Sequence, residues 1–493
     1  MWARFQKLPL AISLSALTIL MMMIPSLHGF YAGNDHQGRT FLYAVLLGLF
    51  ALGFMSVSLQ GERFSANRHT QIWSLIAFFL GFPALLAVPF HEVTASGQFI
   101  NSYLDLVSTV TTTGLPVFST GTLSETLVIW RVCLGWASGF LIWVFAWSLF
   151  APLNLGGFEH LGARGTVDDA SVHGAHSTAR LPAEKFWREA VRLGPIYVWI
   201  TAAATLALLV TSGDPVFAIL RAMSTIATFG IDIPGHSGAG WASEGVIMLV
   251  MVFALSRATF STTFSKTRKW KFHHDPELRV AALLITAAVV VLVCLGWGMS
   301  SGFWGHIKAI WGAAFTSLSF LTTTGITSDY LPEGLRGFGQ AGIVIAALAI
   351  FGGGVATTAG GIKLLRVYIL AGHCKTEVDR LIAPSQVMSG QSKSLSKSHH
   401  NAMLACVFLM LFILVFAATT LGLTLTGSGV AEALHLTLAT VTNTGPLAQG
   451  VGGSENAVIE LGTGAKLILA VAMVFGRLEV LALLALLNPD IYR

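Results

Sequence analysis

The sequence predicts an all-α polytopic membrane protein, and three observations carry that prediction. Hydrophobic residues make up 54% of the 493, charged residues only 11%, and the mean hydropathy is +0.71. A soluble chain carries roughly 25% charge. The apolar residues gather into runs near the length of about 20 that a helix needs to cross a bilayer. A short Thr-rich segment ending in glycine recurs four times between these runs. The composition excludes a soluble enzyme, a disordered chain and a disulfide scaffold. The four cysteines (Cys133, Cys294, Cys374 and Cys406) are scattered and read as small core residues.

Seven runs are free of charge: 8–27, 41–59, 72–90, 132–150, 193–210, 280–298 and 402–425. Three more are impure. The run 245–264 contains Arg257, 340–370 is broken by glycines, and 461–487 contains Arg477 and Glu479. Together they predict ten spans. The first follows Arg4 and Lys7, but its apolar run exceeds the about 7–15 residues of a signal-peptide core, so it reads as a retained helix. An even number of spans places both termini on one side. The loops on that side, with the termini, hold 21 of the 29 Lys and Arg against 11 acids. The positive-inside rule makes this the cytoplasmic face. The net charge of +5 then reports sidedness, not nucleic-acid binding. The opposite loops hold 6 bases and 12 acids, a balance that favours cations approaching from outside.

Four of those opposite loops share one design. They read Ser108-Thr-Val-Thr-Thr-Thr-Gly114, Ser224-Thr-Ile-Ala-Thr-Phe-Gly230, Ser319-Phe-Leu-Thr-Thr-Thr-Gly325 and Ala439-Thr-Val-Thr-Asn-Thr-Gly445. Their glycines are 116, 95 and 120 residues apart. One copy would read as a helix end, where glycine is common. Four copies in equivalent positions point to one unit used four times. The stretch before each glycine (101–109 or 430–440, for example) is too short to cross the membrane. It can enter as a half-helix that aims its negative C-terminal dipole at the protein centre. Non-helical backbone is tolerated at that depth only where it is buried or lines a cavity. Glycine permits positive φ, which turns carbonyls towards a common axis. Rings of such carbonyls can replace a cation's hydration shell. The expected filter is Thr111, Thr112, Thr113 and Gly114; Thr228, Phe229 and Gly230; Thr323, Thr324 and Gly325; and Asn443, Thr444 and Gly445. No loop supplies an Asp or Glu ring, which argues against a calcium-type filter.

Two features suggest a gate. Gly352, Gly353, Gly354, Gly360 and Gly361 fall within ten residues of the eighth span. Each costs a helix about 1 kcal/mol against Ala, so 352–361 reads as an unwound loop just below the filter. Thr357 and Thr358 can recapture the freed backbone groups. A small-residue packing face fits consecutive glycines poorly, because such a face needs a spacing of four. Arg477 lies deep in the last span, where a charge costs at least ~2.5–3.5 kcal/mol and is functional by default. Glu479 is a poor partner for it, since i and i+2 do not face each other. A buried ion pair is the competing reading of Arg477; a pore-facing role is favoured. Arg257 reads as a snorkelling side chain.

These motifs, with Phe351-Gly-Gly-Gly-Val-Ala-Thr-Thr-Ala-Gly-Gly-Ile-Lys363, Phe475-Gly-Arg-Leu-Glu-Val480 and Asn488-Pro-Asp-Ile-Tyr-Arg493, resemble the Trk/Ktr/HKT superfamily of potassium transporters, nearest its bacterial TrkH/TrkG branch. The resemblance covers essentially the whole chain. It implies four helix–pore-helix–helix repeats around a pseudo-fourfold pore, preceded by two extra transmembrane helices. The expected divisions are 1–70 (N-terminal helix pair), 71–160, 161–278, 279–400 and 401–493 (one pore repeat each). It further implies K+ as the transported ion, no organic cofactor, a homodimer in membrane lipid, a cytosolic TrkA-like nucleotide-binding ring as regulator, and a place in the bacterial inner membrane. An intramembrane loop obstructing the inner exit of the pore agrees with the reading of 352–361. The second loop departs from the others by having Ala-Thr-Phe-Gly, which weakens any role for side-chain hydroxyls there.

His160, His173, His176, His273, His274, His399 and His400 fall in expected cytoplasmic loops, without zinc-like spacing to cysteines. Residues 384–400 read as a polar, flexible linker. A sodium-permeable or ion-coupled symporter is the rival within the transport class. A polytopic membrane enzyme would need a convergent catalytic cluster, and Asp105, Asp232 and Asp329 in the outer loops form none.

Overall fold

The structure is a computed structural model that describes residues 10–58, 75–94, 97–118, 121–150, 182–233, 240–255, 275–299, 302–335, 341–382, 392–449 and 457–478. Within them all regular structure is helical. Arg257, Glu479, His160, His173, His176, His273, His274 and the motif 488–493 lie outside the described residues. His399 and His400 fall in a helix whose side chains there are likewise outside the description.

The first run forms α1 (Leu10–Met21) and α2 (Met23–Tyr31), followed by α3 (Asp35–Ser58). Gly29 and Gly38 let α2 and α3 meet closely; a Cβ on Gly29 would come 2.7 Å from the Gly38 nitrogen. α3 turns a row of exposed apolar side chains outward, among them Leu47, Phe50 and Phe54. In water such a face would be costly, whereas in lipid it is matched to its solvent.

The rest of the chain repeats one sequence of elements. α4 (Phe82–Thr94, entered through a π turn over Ala77–Gly81) precedes the short α5 (Phe99–Val110) and then α6 (Glu125–Phe145). α7 (Pro182–Ser212) precedes α8 (Pro215–Ile226) and α9 (Gly240–Val252). α10 (Pro276–Gly296) precedes α11 (Gly302–Leu321) and α12 (Gly342–Phe351), after which the chain unwinds and resumes as α13 (Leu364–Ile382). α14 (Ser392–Leu425) precedes α15 (Val430–Val441), a single turn α16 (Ala457–Glu460) and α17 (Thr463–Leu478).

Local chemistry sets these boundaries. Asp214 caps α8 by accepting from the backbone N–H of Val216 and Phe217, and Pro215 occupies the first turn, where its missing N–H costs nothing. Asp275 and Pro276 open α10 in the same way. Each short helix packs on the helix before it (α4 with α5, α7 with α8, α10 with α11, α14 with α15) and on a helix after it. Neighbouring units then interlock, as α6 packs on α8, α9 on α11 and α17 on α5.

Seven helices among the described residues are long and apolar enough to cross a membrane. They correspond to the seven charge-free runs. The three impure runs give shorter described helices: α9 has 13 residues, α12 has 10 and α17 has 16. Two expectations need correction. The polar stretch 384–400 is not a linker throughout, because α14 begins at Ser392 and runs 34 residues without interruption. The cysteines are not all core residues, since only Cys133 is buried while Cys294, Cys374 and Cys406 are exposed.

Candidate ion pathway

Three of the four short helices have 12 residues and the third, α11, has 20. The extra turns of α11 lie at its start, where Phe303 and Trp304 are exposed, and its buried half begins at Ala309. Aromatic side chains of this kind suit a membrane–water interface.

The four helix ends are built alike. The N–H of Thr113, Phe229, Thr324 and Thr444 donates to the carbonyl at the first position of each motif (Ser108, Ser224, Ser319 and Ala439) at 2.8–2.9 Å. Thr112, Thr228, Thr323 and Asn443 all take left-handed backbone, with φ of 52°, 50°, 57° and 54°. Such a conformation costs a non-glycine residue on the order of 1–3 kcal/mol, so its fourfold recurrence means the surroundings hold it in place. The left-handed turn therefore sits at Thr or Asn in every loop. Among the motif glycines, only Gly114 and Gly325 have positive φ.

The glycines serve close approach. A Cβ on Gly114 would stand 2.7 Å from the Gly230 carbonyl oxygen, and one on Gly230 would collide with the Thr324 carbonyl oxygen. A Cβ on Gly325 would stand 2.8 Å from the Pro446 ring, and one on Gly445 would collide with Gly114. Gly445 N–H also donates to the Thr113 carbonyl at 2.7 Å. The first loop thus touches the second, the second the third, the third the fourth, and the fourth the first.

Hydroxyls clip the loops from within. Thr111 pairs with Thr113 at 2.7 Å, Thr322 with Thr324 at 3.0 Å and Thr442 with Thr444 at 3.1 Å. The second loop has Ala227 and Phe229 at these positions; there the Ser224 hydroxyl donates to the Phe229 carbonyl at 2.5 Å. Phe229 is fully buried against Gly135, which has no side chain to obstruct the ring. The departure in the second loop thus replaces a hydroxyl clip with an aromatic anchor.

Beneath these loops lies the glycine-rich segment. Residues 352–363 are non-helical and buried, with positive φ at Gly352, Ala356, Gly361 and Lys363. The expectation of an unwound loop at 352–361 agrees with this backbone. The segment closes on itself through Leu364 N–H to the Gly353 carbonyl at 3.0 Å and Thr357 hydroxyl to the Gly354 carbonyl at 2.8 Å. Gly354 N–H donates to the Ala254 carbonyl at 3.0 Å, and Thr358 donates to the Ile226 carbonyl at 3.1 Å. A Cβ on Gly360 would collide with the Thr442 carbonyl. Arg477 is buried and donates to the Thr112 hydroxyl at 2.5 Å. It lines a cavity with Thr357, Gly360, Gly361 and Lys363, and among the described residues no carboxylate pairs with it.

Several supporting residues lie outside the expected filter and gate, with Asp105 expected only as an outer-loop acid. Glu277, buried at the start of α10, accepts from Val355 N–H of the glycine-rich segment at 2.9 Å. Glu244 on α9 accepts from the Ser328 hydroxyl at 2.8 Å, from Trp311 at 2.7 Å and from Asp329 N–H at 3.2 Å, fixing the exit of the third loop. Arg221 donates to the Ile231 carbonyl at 3.3 Å behind the second loop. Asp105 on α5 pairs with Arg131 on α6 at 2.9 Å, both buried. The signal for them was faint: each is a lone charge in or beside an apolar run, and a loop assignment absorbed it.

A bundle of apolar helices that brings four irregular, glycine-ended loops into mutual contact is a build that membrane transport proteins use, in which non-helical backbone at depth is buried in protein or lines a cavity. Residues 189–489 match the TrkH family model, a cation transport protein family, and the chain belongs to that family. The chain is 27% identical over 437 residues to the Trk system potassium uptake protein TrkH of Vibrio parahaemolyticus, covering 85% of this chain and 84% of the relative. It is 26% identical to that of Escherichia coli K12, over 96% of both chains. The crystal structure of the potassium transporter TrkH from Vibrio parahaemolyticus superposes with a TM-score of 0.76 over 97% of each chain at 24% identity, a likeness of fold. The family consists of transporters, which removes the membrane-enzyme alternative.

Proposed function

We propose that this chain is the potassium-translocating membrane subunit of a Trk-type uptake system in a bacterial inner membrane. In this reading ten spans form two leading helices and four pore repeats around a pseudo-fourfold axis, with divisions near residues 70, 160, 278 and 400 and both termini in the cytoplasm. The carbonyls of Thr112–Gly114, Thr228–Gly230, Thr323–Gly325 and Asn443–Gly445 strip and rank cations. The segment 352–361 and Arg477 close the inner exit. A cytosolic nucleotide-binding ring releases that closure, and two such chains assemble side by side. The names of the relatives support potassium as cargo and a multi-component system.

The observation that carries the reading is the closed circuit of four loops, each with the same left-handed turn and the same capping bond. A dehydrated cation needs ligands fixed at a set distance, and a circuit braced by its neighbours supplies that rigidity. The test replaces Gly114, Gly230, Gly325 or Gly445 by Ser, one at a time, in protein reconstituted into liposomes. The added side chain meets a neighbouring loop (a backbone carbonyl group at Gly114, Gly230 and Gly445, the Pro446 ring at Gly325) and shifts it, so potassium-over-sodium discrimination falls. Wild-type permeability ratios in all four variants would remove the loops from the filter role.

A further inference from the structure

We propose that the gating segment is latched to the filter itself, through one side-chain position that the four loops present in common: Thr112, Thr228, Thr323 and Asn443. The proposal rests on the filter and gate reading above and adds how the two are coupled.

The flanking hydroxyls and the middle position behave differently. Hydroxyls one residue before and one after clip each other within their own loop, and Thr113 also accepts from the Asn443 amide at 2.9 Å. The middle side chain, placed by the left-handed turn, reaches out of the loop as well, although Thr228 shares its hydroxyl proton with the Ala227 carbonyl of its own loop at 2.8 Å. Thr228 hydroxyl donates to the Thr358 carbonyl at 2.8 Å. Thr323 hydroxyl accepts from Gly360 N–H at 2.7 Å. Thr112 hydroxyl accepts from Arg477, and Asn443 amide donates to the Met473 carbonyl one turn before Arg477 at 3.0 Å. Two loops are thus bonded to the segment 352–363 and two to α17. Gly360 closes the set by lying against Thr442 and Asn443 without a side chain between them.

The chemistry is reversible by design of its parts. These are single hydrogen bonds, mostly between neutral groups, with no ion pair and no apolar plug among them. Each holds the segment weakly and all must yield together for it to leave the filter's inner face. A regulator acting on α13, which continues directly from the segment, therefore has a small set of bonds to break. Thr serves because it offers a hydroxyl that both donates and accepts. The second loop keeps Thr228 while losing both flanking hydroxyls, as a latch requires and a hydroxyl-lined filter does not.

The test measures potassium flux per inserted molecule for full-length protein in liposomes without its regulator, with thermal stability in parallel. Thr228→Val and Thr323→Val keep shape and remove the hydroxyl. Each raises resting flux about two- to tenfold, the range expected for one lost hydrogen bond, and the double variant raises it further. In protein whose segment is shortened between Gly354 and Gly360, neither substitution adds to the flux. Unchanged or lower flux in both Val variants, while shortening the segment raises flux, overturns the latch and leaves the gate standing. An equal rise on the shortened background overturns it too, because the substitutions then act on the filter. No rise on shortening overturns the gate reading and the latch with it. If the Val variants do not fold, Gly360→Ala decides: its Cβ meets the Thr442 carbonyl and pushes the segment off while every latch side chain remains, so flux rises, and wild-type flux from folded Gly360→Ala rejects the latch.

Discussion

Arg477 is the residue whose environment separates two mechanisms. A structural ion pair would need a buried carboxylate opposite it. The described residues offer a threonine hydroxyl and the glycine-rich backbone instead. Arg477→Ala should therefore raise resting cation flux, because a positive charge is removed from a narrow path. It should not carry the ~3–5 kcal/mol stability loss of a broken buried pair. Flux per inserted molecule and the melting temperature in detergent, measured on the same preparation, check both halves. A melting temperature that collapses without any gain in flux would assign Arg477 to structure. The motif glycines show what sequence can and cannot say at this scale. Their presence in four loops is plain, yet only Gly114 and Gly325 take positive φ, and the left-handed turn common to all four loops lies two residues earlier, at Thr or Asn. Residue type suggests backbone freedom, which the fold uses at two of the four glycines, while all four serve close approach through the absence of a side chain.

Among the elements, the seven charge-free runs are legible because a membrane helix needs only length and hydropathy. The unwound stretch 352–363 after α12 follows from glycine's helix cost. Two elements resisted. α14 reaches back into a stretch of Ser and Lys that composition reads as linker, since a helix propagates into polar sequence once its apolar part is anchored. Glu277 precedes the apolar run 280–298, and only the fold brings it to Val355, 78 residues away in the chain. Glu277→Ala leaves that N–H without its acceptor and should loosen the segment, raising resting flux. Glu277→Gln keeps an accepting oxygen and should leave it nearer the wild-type value. Equal flux from both variants would separate Glu277 from the gate.

For the whole molecule, the circuit of four loops is the property that no single unit has. Neighbouring units brace it: α6 packs on α8, α9 on α11 and α17 on α5, while Gly360 fills the third-to-fourth junction. The unwound segment of the third unit thus lies against the second and fourth loops, through Thr358 to the Ile226 carbonyl and Gly360 to the Thr442 carbonyl. The measurement that tests this account most directly is cation flux of the unmodified protein in liposomes, comparing potassium, rubidium, sodium and lithium at equal gradients and potential. The proposed carbonyl filter predicts potassium and rubidium well above sodium and lithium. Equal flux of all four cations, or sodium ahead of potassium, would contradict a potassium filter built from these loops.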